Sequence, residues 1–334
     1  MKSRLFLRMR SVARVDWLAL LVLIIVGALG LSLWQSRFDS SYNMYVLLRS
    51  ISVVIIVGFA QMVVLAVGEL NLSVGALGGF VAVVLGMMLE VWHLPLPLAI
   101  LLALATGLLA GLLNGLLIAW SGINGFIITL ATSSAFTGMS LGLTQSIPFY
   151  QLPASFTQFG ESAFGPLPYV LFVTLLVSLL LAGLLGKTVL GRQLLAVGGN
   201  RAAAELSGIS LKRSLVWVHS ISGLLVAVAA ILGTAQLGSA QPSIGADWVL
   251  TSFAVPIIGG TALLGGSVSV IGTFLAAMVI ALMNNGLILI QADPYWVQFL
   301  LGILILGSVG LGQVRVAWRD WWRKRGKEEK KSYV

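Results

Sequence analysis

Apolar residues in this chain come in long blocks rather than at helical or strand spacing. The blocks run roughly over 17–34, 45–67, 72–91, 97–120, 126–144, 167–186, 214–234, 250–264, 267–290 and 296–313, with short polar or glycine-rich intervals between them. Most are about 20 residues long, the length an α-helix needs to cross about 30 Å of hydrocarbon. A helix also satisfies its own backbone polar groups, which an open strand in lipid does not. The pattern therefore predicts an all-α polytopic membrane protein of about ten transmembrane helices. The block at 250–264 is short for a span and carries Pro256, so a broken or tilted helix is expected there.

Charge then orients the blocks. Lys2, Arg4, Arg8, Arg10 and Arg14 precede the first, and Arg315, Arg319, Arg323, Lys324, Arg325, Lys327, Lys330 and Lys331 follow the last. Lys187, Arg192, Arg201, Lys212 and Arg213 fall together after the sixth. The positive-inside rule places both termini and this internal loop on the cytoplasmic side, and six spans before the loop and four after it satisfy all three placements. The expected organisation is a basic cytoplasmic N-terminus (1–16), a transmembrane domain (17–314) with a cytoplasmic loop at 187–213, and a basic cytoplasmic tail (315–334). Trp17 and the "VAWRDWWRKRGKEEKK" stretch supply the rings and charges of interface anchors, and the Lys-rich tail suits contact with anionic membrane lipids.

Composition narrows the chemistry further. Apolar residues make up 58% of the 334 residues and charged residues 9%, which leaves no segment for a sizeable soluble domain. With no cysteine and two separated histidines, disulfides, thiolate sites and a histidine metal centre are not expected. The net charge of +9 sits at the ends and in one loop, a topology signal rather than a nucleic-acid groove. Paired carboxylates or Ser/His sets at membrane depth are missing, so an intramembrane enzyme is disfavoured.

Polar groups within the apolar blocks are the candidates for function. In "VLAVGELNLSVGALGGF" (64–80), Glu69, Asn71 and Ser73 stand between Gly68 and Gly75. A carboxylate facing lipid at mid-membrane costs about 2.5–3.5 kcal/mol on insertion scales, so Glu69 must face protein or water. A glycine-flanked polar interruption is either a break lining a cavity or a short cytoplasmic turn. Thr129, Thr132 and Gln241 add hydroxyls and an amide, groups that exchange hydrogen bonds with a hydroxylated solute, and Phe126 and Phe136 offer apolar faces for a ring. The scarcity of charged pairs argues against ion-coupled transport.

Two further patterns bear on architecture. "GLLNGLLIAW" (111–120) resembles "ALMNNGLILI" (281–290), aligning Asn114 with Asn285 in the fourth and ninth spans. Spans five apart run in opposite directions, so the echo suits an inverted repeat relating helices 2–5 to helices 7–10. In "GKTVLGRQLLAVGGNRAAAELSGISLKRS" (186–214), Asn200 reads as the cap of a short helix closed by Gly208. No GxxxxGK[ST] occurs, so the chain is not expected to bind ATP itself.

"GELNLSVGA", "NGLLIAWSGINGFIITLATSSAFTG", "GRQLLAVGGNRAAAELSGI" and "IIGGTALLGGSVSVIGTFLAAMVIALMNNGL" together resemble the successive signatures of ribose-type permease subunits of bacterial ATP-binding cassette importers, over about residues 45–313. The resemblance implies a type II importer-like fold in the bacterial cytoplasmic membrane and a second permease, identical or related, completing the pathway. It also implies cytosolic ATPase subunits that hold ATP and magnesium, and a periplasmic or lipid-anchored substrate-binding protein. Gly191, Arg192, Gly198, Gly199, Asn200, Arg201, Glu205 and Gly208 would form the coupling loop. The chain departs from the family pattern at Asn71, where an aspartate is usual, at Asn124 and Gly125, where prolines are common, and at Thr251, where another aspartate would stand. The family serves pentoses, hexoses, polyols and a furanosyl signalling molecule, and more distant relatives carry nucleosides or branched-chain amino acids. The expected function is a permease for a small neutral hydroxylated solute, with a stand-alone carrier as the rival.

Overall fold

A computed structural model describes the backbone of residues 2–293 and scattered positions from 296 to 307, with side chains described from Trp17 onward. The tenth block (296–313) and the C-terminal tail lie largely or wholly outside the described residues.

The elements in chain order are α1 (Lys2–Trp34), α2 (Ser41–Leu65), α3 (Val74–Gly86, continued by a π-helical turn over Met87–Val91), α4 (Leu96–Ser121), α5 (Gly125–Thr144), α6 (Ala154–Glu161), a two-stranded hairpin of β1 (Ala163–Phe164) and β2 (Leu167–Pro168), α7 (Tyr169–Lys187), α8 (Val189–Gly199), α9 (Arg201–Leu206), α10 (Leu211–Leu237), α11 (Trp248–Ile258) and α12 (Val270–Leu289). Eight of the described helices are long and apolar enough to cross a membrane, and α11 is a ninth, shorter apolar helix. The chain is a multi-pass membrane protein.

α2 and α10 form the centre. From Ile55 to Val67 every residue of α2 and its C-terminal turn is buried, and α10 packs against α2, α3 and most extensively against α4. The α4–α10 contact is glycine-driven: a Cβ on Gly223 would lie 2.8 Å from Gly111 Cα, and one on Gly115 would lie 2.7 Å from Val216 Cα. Small residues let the two backbones approach, the main source of helix association where lipid removes the hydrophobic drive. Outer faces carry Leu101, Leu109, Leu176 and Leu179, all exposed as expected for lipid contact.

The pattern of contacts obeys the inverted repeat. α4 lies on α10 as α12 lies on α2; α3 touches α10 as α11 touches α2; and α3–α4 is matched by α11–α12. Each pair exchanges with its partner when α2, α3 and α4 are swapped for α10, α11 and α12.

The 250–264 block is not a full span. Helix α11 holds 11 residues, a rise of about 16 Å, or half the hydrocarbon thickness. It ends at Ile258 and is closed by Gly260 (φ +84°), with Thr261 N donating to Pro256 O at 2.9 Å. The other half of the crossing is the turn-rich, non-helical segment 239–247, whose contacts run antiparallel along α3. Gly75 packs on Gly245, a Cβ on Gly79 would lie 2.5 Å from Pro242 O, and Gly86 meets Ala240. At its outer end Ala240 exchanges backbone hydrogen bonds of 2.9 Å with Phe149. This re-entrant backbone is held away from lipid by protein, the condition under which irregular structure survives at membrane depth.

Candidate functional site

The polar interruption after α2 starts with a glycine-capped helix end. Gly68 has φ +74°, Gly68 N donates to Leu65 O at 2.9 Å, and Glu69 N donates to Val64 O at 3.3 Å, the paired bonds of a left-handed C-terminal cap. The chain then re-enters the helix bundle before α3 begins.

Asn71 and Ser73 are 1% and 0% exposed. Asn71 Nδ2 donates to Ser222 Oγ of α10 at 3.1 Å; Asn71 Oδ1 accepts from Ser73 N at 3.0 Å and Ser73 Oγ at 2.7 Å. Asn114 Nδ2 of α4 donates to Ser73 Oγ at 2.9 Å, and Leu72 N donates to Thr129 Oγ1 of α5 at 3.1 Å. The Gln61 amide of α2, oriented to satisfy both groups, accepts from Asn71 N at 3.1 Å and donates to Asn71 O at 3.0 Å. Gln61 of α2 and Thr129 of α5 thus complete the hydrogen bonding of backbone that no helix satisfies, while Asn114 of α4 and Ser222 of α10 bond the Ser73 and Asn71 side chains.

The sequence offered Asn71, Ser73 and Thr129 as pathway residues. In this structure they are sealed in contacts between helices and line neither of the two clefts described below. Phe136 is likewise buried, its ring stacked on Phe80 of α3 with centroids 5.6 Å apart. Asn71 and Ser73 lie in the break itself, Thr129 accepts from its open Leu72 N–H, and Phe136 packs flat on α3. Phe126 is exposed and Thr132 half-exposed, one on each margin of the buried face of α5, and Gln241 is half-exposed within the re-entrant segment.

Asn114 and Asn285 hold different partners. Asn285 Nδ2 donates to Asn43 Oδ1 at 2.7 Å while Asn43 Nδ2 donates back to Asn285 Oδ1 at 3.1 Å, tying α12 to the start of α2. The sequence echo therefore marks equivalent helices with separate local tasks.

Glu69 lies at the basic end of the molecule, not among the helices. Its Oε1 accepts from Arg201 Nη2 at 2.7 Å, the one ion pair among the described residues. Arg201 opens α9. Asn200 caps that helix by accepting from Ala203 N at 3.0 Å, and Gly208 (φ +80°) closes it with Ile209 N donating to Ala204 O at 3.0 Å. The preceding α8 escaped the sequence reading; Thr188 caps it, accepting from Gly191 N at 3.1 Å. Gly191 is buried against the end of α7, whereas Arg192 and Gly199 are exposed.

Three glycines fasten this α8–α9 unit to the bundle. Gly198 packs on Ala66 and Gly266, a Cβ on Gly265 would lie 2.6 Å from Gly68 N and 3.0 Å from Gly198 Cα, and Gly266 N donates to Ala66 O at 3.0 Å. The turns after α2, α8 and α11 therefore meet at one point. Beside it opens a cleft of about 750 Å³ lined by Glu69, Ile123, Arg201, Glu205, Gly208 and Lys212, among others. Leu206, the last residue of α9, is 91% exposed at this basic surface.

A second cleft of about 400 Å³ lies between α2, α10 and α11, at the opposite end of α10 from its basic start. Arg49, Ser50, Gln236, Ser243, Asp247 and Trp248 line it. Arg49 and Asp247 had no place in the sequence reading.

Membrane-spanning helices, a half-helix preceded by re-entrant backbone and a helical lever on the basic face define a permease-type membrane subunit. A family described as branched-chain amino acid transport system / permease component matches residues 41–309, and the chain belongs to that family, on its ribose-type branch of ATP-binding cassette importer permeases. It is 35% identical over 303 residues to the ribose import permease protein RbsC of Bacillus subtilis, covering 90% of this chain and 92% of that protein. The D-allose transport system permease protein AlsC of Escherichia coli is 30% identical, with 88% and 90% covered. The autoinducer 2 import system permease protein LsrC of Salmonella choleraesuis is 31% identical, with 85% and 82% covered. A permease of this family works with ATPase and substrate-binding partners.

Proposed function

We propose that this permease subunit imports a monosaccharide across a bacterial cytoplasmic membrane, with both termini and the α8–α9 unit on the cytoplasmic side. It pairs with a second, identical or related permease, and two cytosolic ATPase subunits dock on α9. A periplasmic or lipid-anchored binding protein delivers solute at the opposite face. The chain binds no cofactor itself; ATP and magnesium belong to the ATPases. The sugar assignment draws on the ribose, allose and autoinducer 2 relatives and on the neutral hydroxyl and amide groups along α5 and the re-entrant segment.

The observation that carries the reading is the junction of α8 and α9 with the turns after α2 and α11. A push on α9 acts on Arg201 and Gly198, and through them on Glu69, Gly68 and Gly265. These turns end α2 and α11 beside the re-entrant segments, so a small displacement there tilts the half-helix and its neighbours. ATP binding shifts the permease only by favouring one of its two states, so the ATPases must contact α9 differently in each. The solute pathway then runs past Phe126 and Thr132, at the margins of the buried face of α5, and past Gln241. Asn71, Ser73 and Thr129 hold the break about which these helices move.

Co-expression of the chain with its ATPase subunit tests the docking. A stable detergent-solubilised complex that is lost on deletion of Arg201–Leu206, with the permease still folded, is expected. A complex that survives the deletion would overturn it.

A further inference from the structure

We propose that the cleft between α2, α10 and the start of α11 is a receiving site for a neutral polyhydroxylated ring, held by Arg49 as donor and Asp247 as acceptor. This rests on the reading of the chain as a solute permease and deepens it by locating where solute first meets the membrane subunit.

Arg49 is the central observation. It lies in the third turn of α2, where a cation is costly unless it serves a partner or a water-filled space. No carboxylate among the described residues pairs with it. Its Nη2 donates to Gln236 O, its own carbonyl accepts from Gln236 Nε2 at 2.9 Å, and its guanidinium carbon stands 5.9 Å from the Tyr45 ring centroid. Its Nε is buried without a partner. The reciprocal pair with Gln236 fixes the side chain between α2 and α10, so the guanidinium is pre-positioned rather than mobile.

Asp247 supplies the opposite half. It stands at the first turn of α11 but caps nothing with its side chain, and no described group donates to its carboxylate. The Ser243 hydroxyl has no described partner either. The cleft holds one cation, Arg49, bonded to the Gln236 carbonyl, and one solvent-exposed carboxylate, Asp247, which do not pair with each other, so it has no net charge. An anion meets Asp247 and a cation meets Arg49; a neutral ligand carrying both donors and acceptors satisfies both groups. Ring hydroxyls are such groups, and Trp248, Ile244 and Val53 supply apolar walls for the C–H faces of the ring. A volume of about 400 Å³ holds a single sugar ring with water.

The chain has no cysteine, so one introduced thiol is a unique reporter. Ser243→Cys in the full-length permease, in lipid nanodiscs, is labelled with a water-soluble maleimide in the presence of D-ribose, D-allose, D-xylose, D-galactose or L-leucine. A bound ring slows labelling by about tenfold at roughly ten times its dissociation constant. The expected result is protection by at least one of the four sugars but not by leucine. That protection, scored as the ratio of rates without and with sugar in the same variant, is lost on adding Asp247→Asn or Arg49→Gln. Should Arg49→Gln fail to fold, as judged by gel filtration, Asp247→Asn decides alone. Protection by none of the sugars, protection by leucine alone, or protection that survives Asp247→Asn overturns the proposal. The assay needs neither ATP nor partners: protection without ATP-driven uptake would sink the importer reading and leave the site standing, while uptake without protection would do the reverse.

Discussion

Arg201 Nη2 lies 2.7 Å from Glu69 Oε1, so the first residue of the helix on the basic face grips the turn that ends α2, one of the two central helices of the bundle. The Arg201 side chain is 47% exposed and that of Glu69 13%. Pairs this open are worth only about 0.2–1 kcal/mol of stability. The contact therefore matters more as a link between moving parts than as a staple.

Glu69→Gln should accordingly leave thermal unfolding of the detergent-solubilised permease nearly unchanged while lowering ATP-driven uptake about fivefold or more, the size of a typical coupling between sites. The exchanged pair Glu69→Arg with Arg201→Glu should recover part of the loss. Unaltered uptake in Glu69→Gln would show that the pair transmits nothing.

The buried polar cluster predicts the opposite balance. Asn114→Ala removes the donor to Ser73 Oγ and should cost about 1 kcal/mol of stability, in the range of hydrogen bonds between membrane helices. Equilibrium unfolding in mixed micelles reads this directly. A stability equal to that of the unmodified chain would mean that the Asn114–Ser73 bond contributes nothing.

Close backbone approach at the α4–α10 crossing makes a sharp comparison. Gly223→Val places atoms where Gly107 and Gly111 already stand and should destabilise the fold by about 3 kcal/mol or more. Gly138→Ala on α5, where a Cβ meets nothing within 4 Å, should fold normally. Folded yield after membrane extraction separates the two.

Leu206 is the apolar tip of the proposed ATPase contact. Leu206→Glu should weaken ATPase association by about tenfold or more, as truncating a central interface anchor does, and leave permease folding intact. Titration of the ATPase subunit onto nanodisc-held permease measures it.

Much of the architecture was legible because a span needs only length and uniform hydrophobicity: the blocks at 97–120 and 126–144 match Leu96–Ser121 and Gly125–Thr144 closely. Local capping chemistry was equally readable, since Asn200 and Gly208 act through their own neighbours. The re-entrant segment was not. Residues 239–247 contain serine, proline and glycine and read as an ordinary outer loop; only the glycines of α3, distant in sequence, draw them into the bundle. Nor does sequence separate an asparagine that bonds a neighbouring helix from one that bonds a solute, because the chemistry is the same. Asn71 was a candidate on the same grounds as Gln241, and burial alone told them apart. Arg49 and Asp247 lie 198 positions apart, and nothing local to either signals that they share a cleft.

Accumulation of radiolabelled monosaccharide in sealed proteoliposomes tests the central claim most directly. Vesicles holding this chain with its ATPase, given external binding protein and internal ATP, should concentrate sugar above the outside level, and vesicles holding the chain alone should not take it up. Uptake or equilibration by the chain alone, without ATPase or ATP, would contradict the account.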